Sequence, residues 1–432
     1  MIELFQILLS FILFLLIITV PINIFNSKPF ISKNFFCLDV ASFNLILNCN
    51  ILLLISILPI SLKLYNSLFI FFYLAIFIYI YLIKNFKSNL IKNFIKFISI
   101  FFIIFFIIST NVAGELDLGW DAKYFYYIKA LFFIDNQNFS DLKKFVHYAY
   151  HPHLGSFFWA FFSNLMPIKL EYFGRLFYVF IFCFSMFYVC HNSLKEKFIG
   201  SVIFILIIAI SYKYERFSGL QEILIFSFLV ILSKYFLLIK ESKNTWYIFF
   251  IILGCNLIIW FKAEGIVYTT ILILLLNFSY KISNKIKLYT NLFYFFIIIF
   301  KISIYQYFNF ILNGQPFYNL DYVLNLNFEL ILYKLKIILS FLFYYATQNV
   351  FFISGFLILL VLNFKKKIDS YIKLLNYYFI LNIIFILCAY VLRDLEIEYF
   401  VRTTLERIIF TSSGFYVLLT INIFKNYKNF LK

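Results

Sequence analysis

The chain is 432 residues long, 64% hydrophobic and 24% aromatic, with 13% charged residues and a formal net charge of +17. Such a composition cannot be wrapped into a water-soluble domain, and lysines strung between apolar runs do not make a nucleic-acid-binding module. The expected fold class is an all-α polytopic membrane protein, one integral membrane domain over residues 1–432, since no linker or repeat divides the sequence.

Hydropathy predicts about thirteen spans. The first four fall near residues 5–25, 44–62, 66–83 and 94–110, with the amino terminus outside. The first apolar run lacks a basic start and a small-residue cleavage site, so it reads as a retained span. Residues 111–172 form a first large outer loop. Within it Leu154 to Met166 is too short to cross about 30 Å of hydrocarbon and is expected to lie on the outer surface as a juxtamembrane helix. The bundle then resumes over 173–432, with spans near 173–191, 198–211, 220–239, 245–261, 266–280, 288–311, 349–363, 374–392 and 408–424. Residues 312–345, opened by Asn313-Gly314-Gln315-Pro316, read as a second outer loop ending in an interfacial helix. Cys37, Cys49, Cys183, Cys190, Cys255 and Cys388 have neither metal-site nor redox spacing.

These spans sort the charges. Lysine-bearing loops (Lys28 and Lys33, Lys84 to Lys96, Lys195 and Lys197, Lys240 and Lys243, Lys281 to Lys287, Lys365 to Lys373) and the tail fall on one side, which the positive-inside rule makes cytoplasmic. The other side receives most of the acids and every arginine: Arg175, Arg216, Arg393, Arg402 and Arg407. A planar guanidinium grips phosphate or carboxylate with two prongs, so a polar working site is expected to face outward.

The chemistry-bearing motifs follow in chain order. Asp117 and Asp121, four apart before an aromatic segment, can share one face of a helical turn, where mutual repulsion raises one carboxyl and suits it to act as a base; a solvated helix start has the same pattern. Trp120, Tyr124 and Tyr127 beside them also fit an interfacial aromatic belt. His147, His151 and His153 close the loop as substrate or phosphate ligands, as surface caps, or with the aspartates as a divalent-metal site, although their spacing matches no dedicated metal motif. Glu171 and Arg175 stand at i and i+4 at the mouth of a span, as a local ion pair or a substrate contact. Arg216 and Glu222 flank a Ser-Gly turn, and Glu222 leads directly into an apolar run, a costly place for an unpaired charge. Lys262 and Glu264 sit in a tight corner between two apolar runs. Finally Arg402, Glu406 and Arg407 crowd the outer end of the last span, as a lipid-phosphate clamp or as reciprocal salt bridges.

Together these motifs resemble the GT-C-type integral membrane glycosyltransferases, nearest the bacterial relatives of protein mannosyltransferases and aminoarabinose transferases. The likeness runs from about Asn111 to Leu419: the Asp121-x-x-Tyr124 element, His151-Pro152 opening a surface helix, Glu222 after Ser218-Gly219, Lys262-x-Glu264-Gly265, and Thr403-x-x-Glu406-Arg407. Each motif is short. Asp121-Ala122 stands where the family commonly has Asp-Glu, and three extra spans precede the loop. The resemblance implies a GT-C-like fold, a polyprenyl-phosphate sugar donor, inversion at the anomeric carbon, and a glycan, lipid or protein acceptor at the outer face of a bacterial inner membrane. Asp121 is then the expected base with Asp117 as its rival, Lys262, Arg402 and Arg407 hold the donor phosphate, and His151, His153, Arg175, Arg216, Glu222 and Glu264 line the substrate. An O-antigen ligase or polymerase shares this donor and topology, and a flippase of lipid-linked saccharides shares the embedded charges. A flippase, however, needs polar groups on both faces and at the midplane.

Overall fold

The computed structural model describes residues 2–19, 38–83, 88–115, 117–135, 138–145, 149–193, 197–242, 245–279, 282–310, 320–366, 369–394 and 396–422. Helices make up 87% of the described residues, which contain no strand. Among the described residues, six helices are long and apolar enough to cross a membrane, and shorter apolar helices of 10–17 residues accompany them. The protein is therefore an all-α membrane protein. Its helices gather into two compact units, Met1–Ser227 with Leu253–Ala263, and Phe228–Ile252 with Glu264–Lys432.

The first unit is built around the helix Tyr172–Ser193, in which every residue from Tyr172 to Cys190 is buried. It packs against the helices Ile2–Thr19, Leu38–Ile57, Ser88–Gly114, Leu154–Leu165 and Lys197–Ser211. Lipid tails are as apolar as phenylalanine, so burial alone does not drive this packing; close van der Waals contact and ring geometry do. Phe162 and Phe177 lie 3.9 Å apart between ring centres, and Phe14 meets Phe162, Phe177 and Phe180 at 4.9, 5.3 and 5.2 Å. Polar glue closes helix ends: Asn44 and Asn48 donate to the carbonyls of Ile18 (2.8 Å) and Ile17 (2.7 Å), the last turn of Ile2–Thr19, where no intrahelical donor remains. At one end of Tyr172–Ser193, Arg175 meets Glu115 and Phe217; at the other, Tyr188 donates to Asp39 (2.6 Å).

In the second unit the helices Ser370–Val391 and Ile397–Ser413 form an antiparallel hairpin: Tyr390 bonds Thr404 (2.7 Å) near the turn, and Tyr378 donates to the Ser412 carbonyl (3.2 Å) farther down. Asp369 caps Ser370–Val391 by accepting from the N–H groups of Tyr371 and Ile372, and it also pairs with Lys240 (2.7 Å). Lys334 is buried at the opposite end of that helix and donates to the carbonyls of Val391 (3.3 Å) and Arg393 (2.5 Å), a cation on the negative end of the helix dipole. Lys240 and Asp369 thus mark one end of Ser370–Val391, and Lys334 and Arg393 mark the other.

Three expectations are corrected. Leu154–Leu165 does not lie on a surface: eleven of its twelve residues are buried, because it has aromatic and small side chains all round and no polar face to offer water. Residues 312–345 are not mainly loop. Positions 311–319 lie outside the described residues, but Phe328–Gln348 is a 21-residue helix, capped by Asn327 through the Leu330 N–H (2.7 Å) and apolar enough to span. Its contacts decide how it counts. Lys334 is level with Val391, Tyr345 donates to the Arg402 carbonyl (3.1 Å), and in the next helix, Val350–Phe364, Ser354 bonds Thr420 (2.8 Å) and Asn363 bonds Asn376 (3.0 Å). The two helices run the same way along one hairpin. Lastly, the final helix starts at Ile397 rather than near 408 and carries Glu398, Arg402 and Glu406 one turn apart on an exposed stripe.

Sidedness is tested by cysteine labelling with a membrane-impermeant maleimide. Ser140→Cys, exposed beside Asp141, is expected to react from outside intact cells and Ser370→Cys only after permeabilisation. Reaction of Ser370→Cys in intact cells would reverse the expected orientation of the two ends.

Candidate functional site

The acidic loop of the first unit is held by its backbone. The Gly119 N–H donates to the Ser218 carbonyl (3.0 Å), and the Tyr214 hydroxyl lies 2.8 and 2.6 Å from the carbonyls of Glu115 and Asp117. A Cβ on Gly119 would meet the Ser218 hydroxyl at 2.9 Å, so the close approach depends on glycine. Across the turn, Gly219 has φ +90° and its α-carbon faces the Trp159 ring, where a Cβ would sit at 2.6 Å. This lacing needs non-helical backbone over residues 117–119. Asp117 and Asp121 therefore do not share one helical turn as expected: Asp117 precedes the helix with an exposed side chain, while Asp121, half-buried, stands at the head of a π-helical turn, Ala122–Tyr127.

Arg175 fastens this cap. Fully buried, it grips both carboxylate oxygens of Glu171 (2.8 and 2.6 Å) and donates to the carbonyls of Phe217 (3.2 Å) and Glu115 (3.2 Å) and to the Tyr214 hydroxyl (3.4 Å). Burial pushes the Glu171 carboxyl up, with the Arg175 guanidinium pulling against it. Of the two roles open to Arg175 in the sequence, the ion pair is the one these contacts describe. Arg216 lies nearby and donates to the Ser211 carbonyl.

His153 is buried at the start of Leu154–Leu165, where its Nε2 meets the Ser56 hydroxyl (2.8 Å) and its ring packs on Phe139 (4.4 Å) and Trp260 (5.5 Å). His151 is half-buried and stacks on Phe125 at 4.7 Å. Its carbonyl accepts from Lys129 (2.6 Å), a fully buried lysine whose ammonium burial holds well below its ordinary value. His147 lies outside the described residues. Among those described, no three His, Cys, Asp or Glu side chains converge on a point where a metal would sit. Lys262, in the corner after Trp246–Phe261, reaches back to Glu222 at the start of Glu222–Ser242 (2.8 Å), so the two costly charges neutralise one another.

The second unit assembles its own charged group. Tyr390, bonded to Thr404, lies within electrostatic reach of Arg393, Glu264 and Arg407, and Lys301, buried in Asn284–Tyr307, faces the charge of Glu264. Arg393 also lies over the Phe400 ring (4.1 Å). Arg402 is different: at 61% side-chain exposure it pairs with Glu398 (2.5 Å) on the surface, a contact worth about 0–1 kcal/mol.

Sequence reasoning passed over Lys129, Tyr214, Lys301, Lys334 and Tyr390. For Lys129 a signal exists, since it falls at i to Phe132 and Phe133 at i+3 and i+4, the buried face of Ile128–Ile134. Lys301 interrupts an apolar run, the mark of an embedded charge. Tyr214 and Tyr390 are two of 34 tyrosines and carry none. No protein-family model, curated protein or solved structure matches this chain.

Proposed function

We propose that the protein is an inverting glycosyltransferase that moves a sugar from a polyprenyl-phosphate donor to an acceptor at the outer face of a bacterial inner membrane. The observation that carries this reading is the division of labour in the acidic cap. Arg175, Tyr214 and Gly119 bind the backbone of the loop, and the Asp117 side chain is left exposed with Asp121 half-exposed beside it. In the reaction the acceptor hydroxyl attacks the anomeric carbon, its proton passes to a carboxylate assigned to Asp121, and the bond to the lipid phosphate breaks with the electron pair leaving on phosphate oxygen. Cations near the leaving group lower the barrier by meeting charge as it develops. Lys262 in one unit and Arg407 in the other are the candidates whose side chains are partly buried, each to be tested by itself.

The test is transfer by purified protein in nanodiscs from a radiolabelled polyprenyl-phosphate sugar. Arg407→Gln or Lys262→Gln is expected to lower turnover by about 10²-fold and to raise KM, since a phosphate contact that tightens as the bond breaks acts on both. Replacing Glu222 together with Lys262 by Gln separates the roles: an internal ion pair tolerates the neutral double change, and a phosphate ligand does not. Wild-type turnover in Lys262→Gln, Arg402→Gln and Arg407→Gln alike would remove the phosphate role from all three.

A further inference from the structure

Trp120 is 65% exposed and Tyr124 44% exposed, although most large aromatic rings of the first unit's outer cap are buried. Neither ring stands alone. Trp120 lies 5.2 Å from Tyr124 and 5.3 Å from Phe125, meeting the second edge to face at 86°; Phe125 stacks on His151 at 4.7 Å and 27°, and His151 lies 4.6 Å from Tyr150. Five rings form one continuous strip.

The π-helical turn Ala122–Tyr127 makes the strip possible. In an α-helix a residue faces those at i+3 and i+4. Widening the turn brings i+5 round as well, so Tyr124 and Phe125 both reach Trp120. The strip is flanked by Asp117, exposed, and Asp121, half-buried.

An exposed ring face beside carboxylates suits one class of ligand. A pyranose has an apolar C–H face, slightly positive, that complements the negative face of an aromatic ring, and equatorial hydroxyls that donate to carboxylate oxygens. A membrane-interface belt is the competing occupant. The local charge opposes it, since residues 115–124 hold Glu115, Asp117 and Asp121 against Lys123 alone, whereas segments that settle on anionic headgroups are rich in lysine and arginine. A quaternary ammonium would also favour rings and acids, but the Lys123 ammonium already lies 5.5 Å from the Tyr124 ring centre, and a strip is not a cage.

We infer that Trp120, with Tyr124 and Phe125, is the stacking platform of a saccharide site, on which one pyranose ring lies flat while its hydroxyls meet Asp117 and Asp121. Only the question of whether that ring belongs to donor or acceptor rests on the transferase reading. Saccharide recognition itself does not.

The experiment uses the full chain in nanodiscs of neutral lipid. The probe is the pool of oligosaccharides released by mild acid from the envelope of the producing cells, observed by saturation-transfer NMR. Wild-type protein is expected to saturate the C–H protons of one ring. Trp120→Ala, a change at an exposed position that leaves the core intact, should weaken binding about tenfold, and Trp120→Phe should restore most of it. Emission assigned to Trp120 by difference from Trp120→Phe should resist quenching by brominated lipids. No saccharide signal from wild type, equal binding by Trp120→Ala, quenching of Trp120 by bromolipid, or displacement of the saccharide by choline would each overturn the inference. Saccharide binding that depends on Trp120 in a protein without transferase activity would leave the platform standing and remove the transferase reading. Full transfer by Trp120→Ala would do the reverse.

Discussion

Asp121→Asn is expected to lower sugar transfer by about 10²–10⁴-fold while the purified protein stays folded and keeps its affinity for the polyprenyl-phosphate donor. The amide preserves the shape and one acceptor oxygen of the side chain but cannot take up the proton of the attacking hydroxyl. Asp121 is favoured because its backbone is already helical at the head of the Ala122–Tyr127 turn and its side chain is half-buried, so the fold sets its position. Asp117 is held through its carbonyl on Tyr214, with its carboxylate outward, and is the necessary comparison. Wild-type transfer by Asp121→Asn together with a dead Asp117→Asn moves the base to Asp117. Activity in both variants ends the general-base assignment.

Much of the fold is legible from the sequence because lipid imposes one rule on every span: backbone polar groups must be satisfied within the helix. Apolar runs therefore mark most helices of both units. Charge alternation adds which loops belong together, and the pairing of Lys240 with Asp369 joins two loops expected on one side. The rule fails where protein replaces lipid. Leu154–Leu165 is too short to span, yet it is buried among helices, a fate that hydropathy cannot separate from lying on the surface. Phe328–Gln348 fails the other way, its apolar length obscured by Glu329, Lys334 and Lys336, one of which turns out to cap a neighbouring helix.

The candidate site is legible in its residue types and not in its partnerships. A glutamate four residues before an arginine reads equally as an ion pair or as two ligands, and only the distances around Arg175 separate them. Lys262 and Glu264 are two apart in sequence, but the corner after Trp246–Phe261 directs the lysine to Glu222, forty residues away. Periodicity carries no information about such long-range choices, which tertiary packing makes.

Arg175→Met is expected to destabilise the first unit by about 3–5 kcal/mol, because it empties a fully buried site and strands a half-buried carboxylate rather than deleting a single contact. Glu171 would lose both its hydrogen bonds, and the carbonyls of Glu115 and Phe217 would lose a donor at a point where the acidic loop and the 214–217 turn are joined. A melting temperature roughly 10 °C lower in detergent follows from a loss of that size. Arg175→Lys keeps the charge but not the planar fork that serves four partners from one plane, so it is expected to rescue little. Adding Glu171→Gln to Arg175→Met should recover part of the stability, since no half-buried charge is then left unpaired, though the two carbonyls remain without their donor. A substrate-binding arginine would behave otherwise: Arg175→Met would melt with the wild type and show only a raised KM, and that outcome would return Arg175 from the framework of the cap to its working surface.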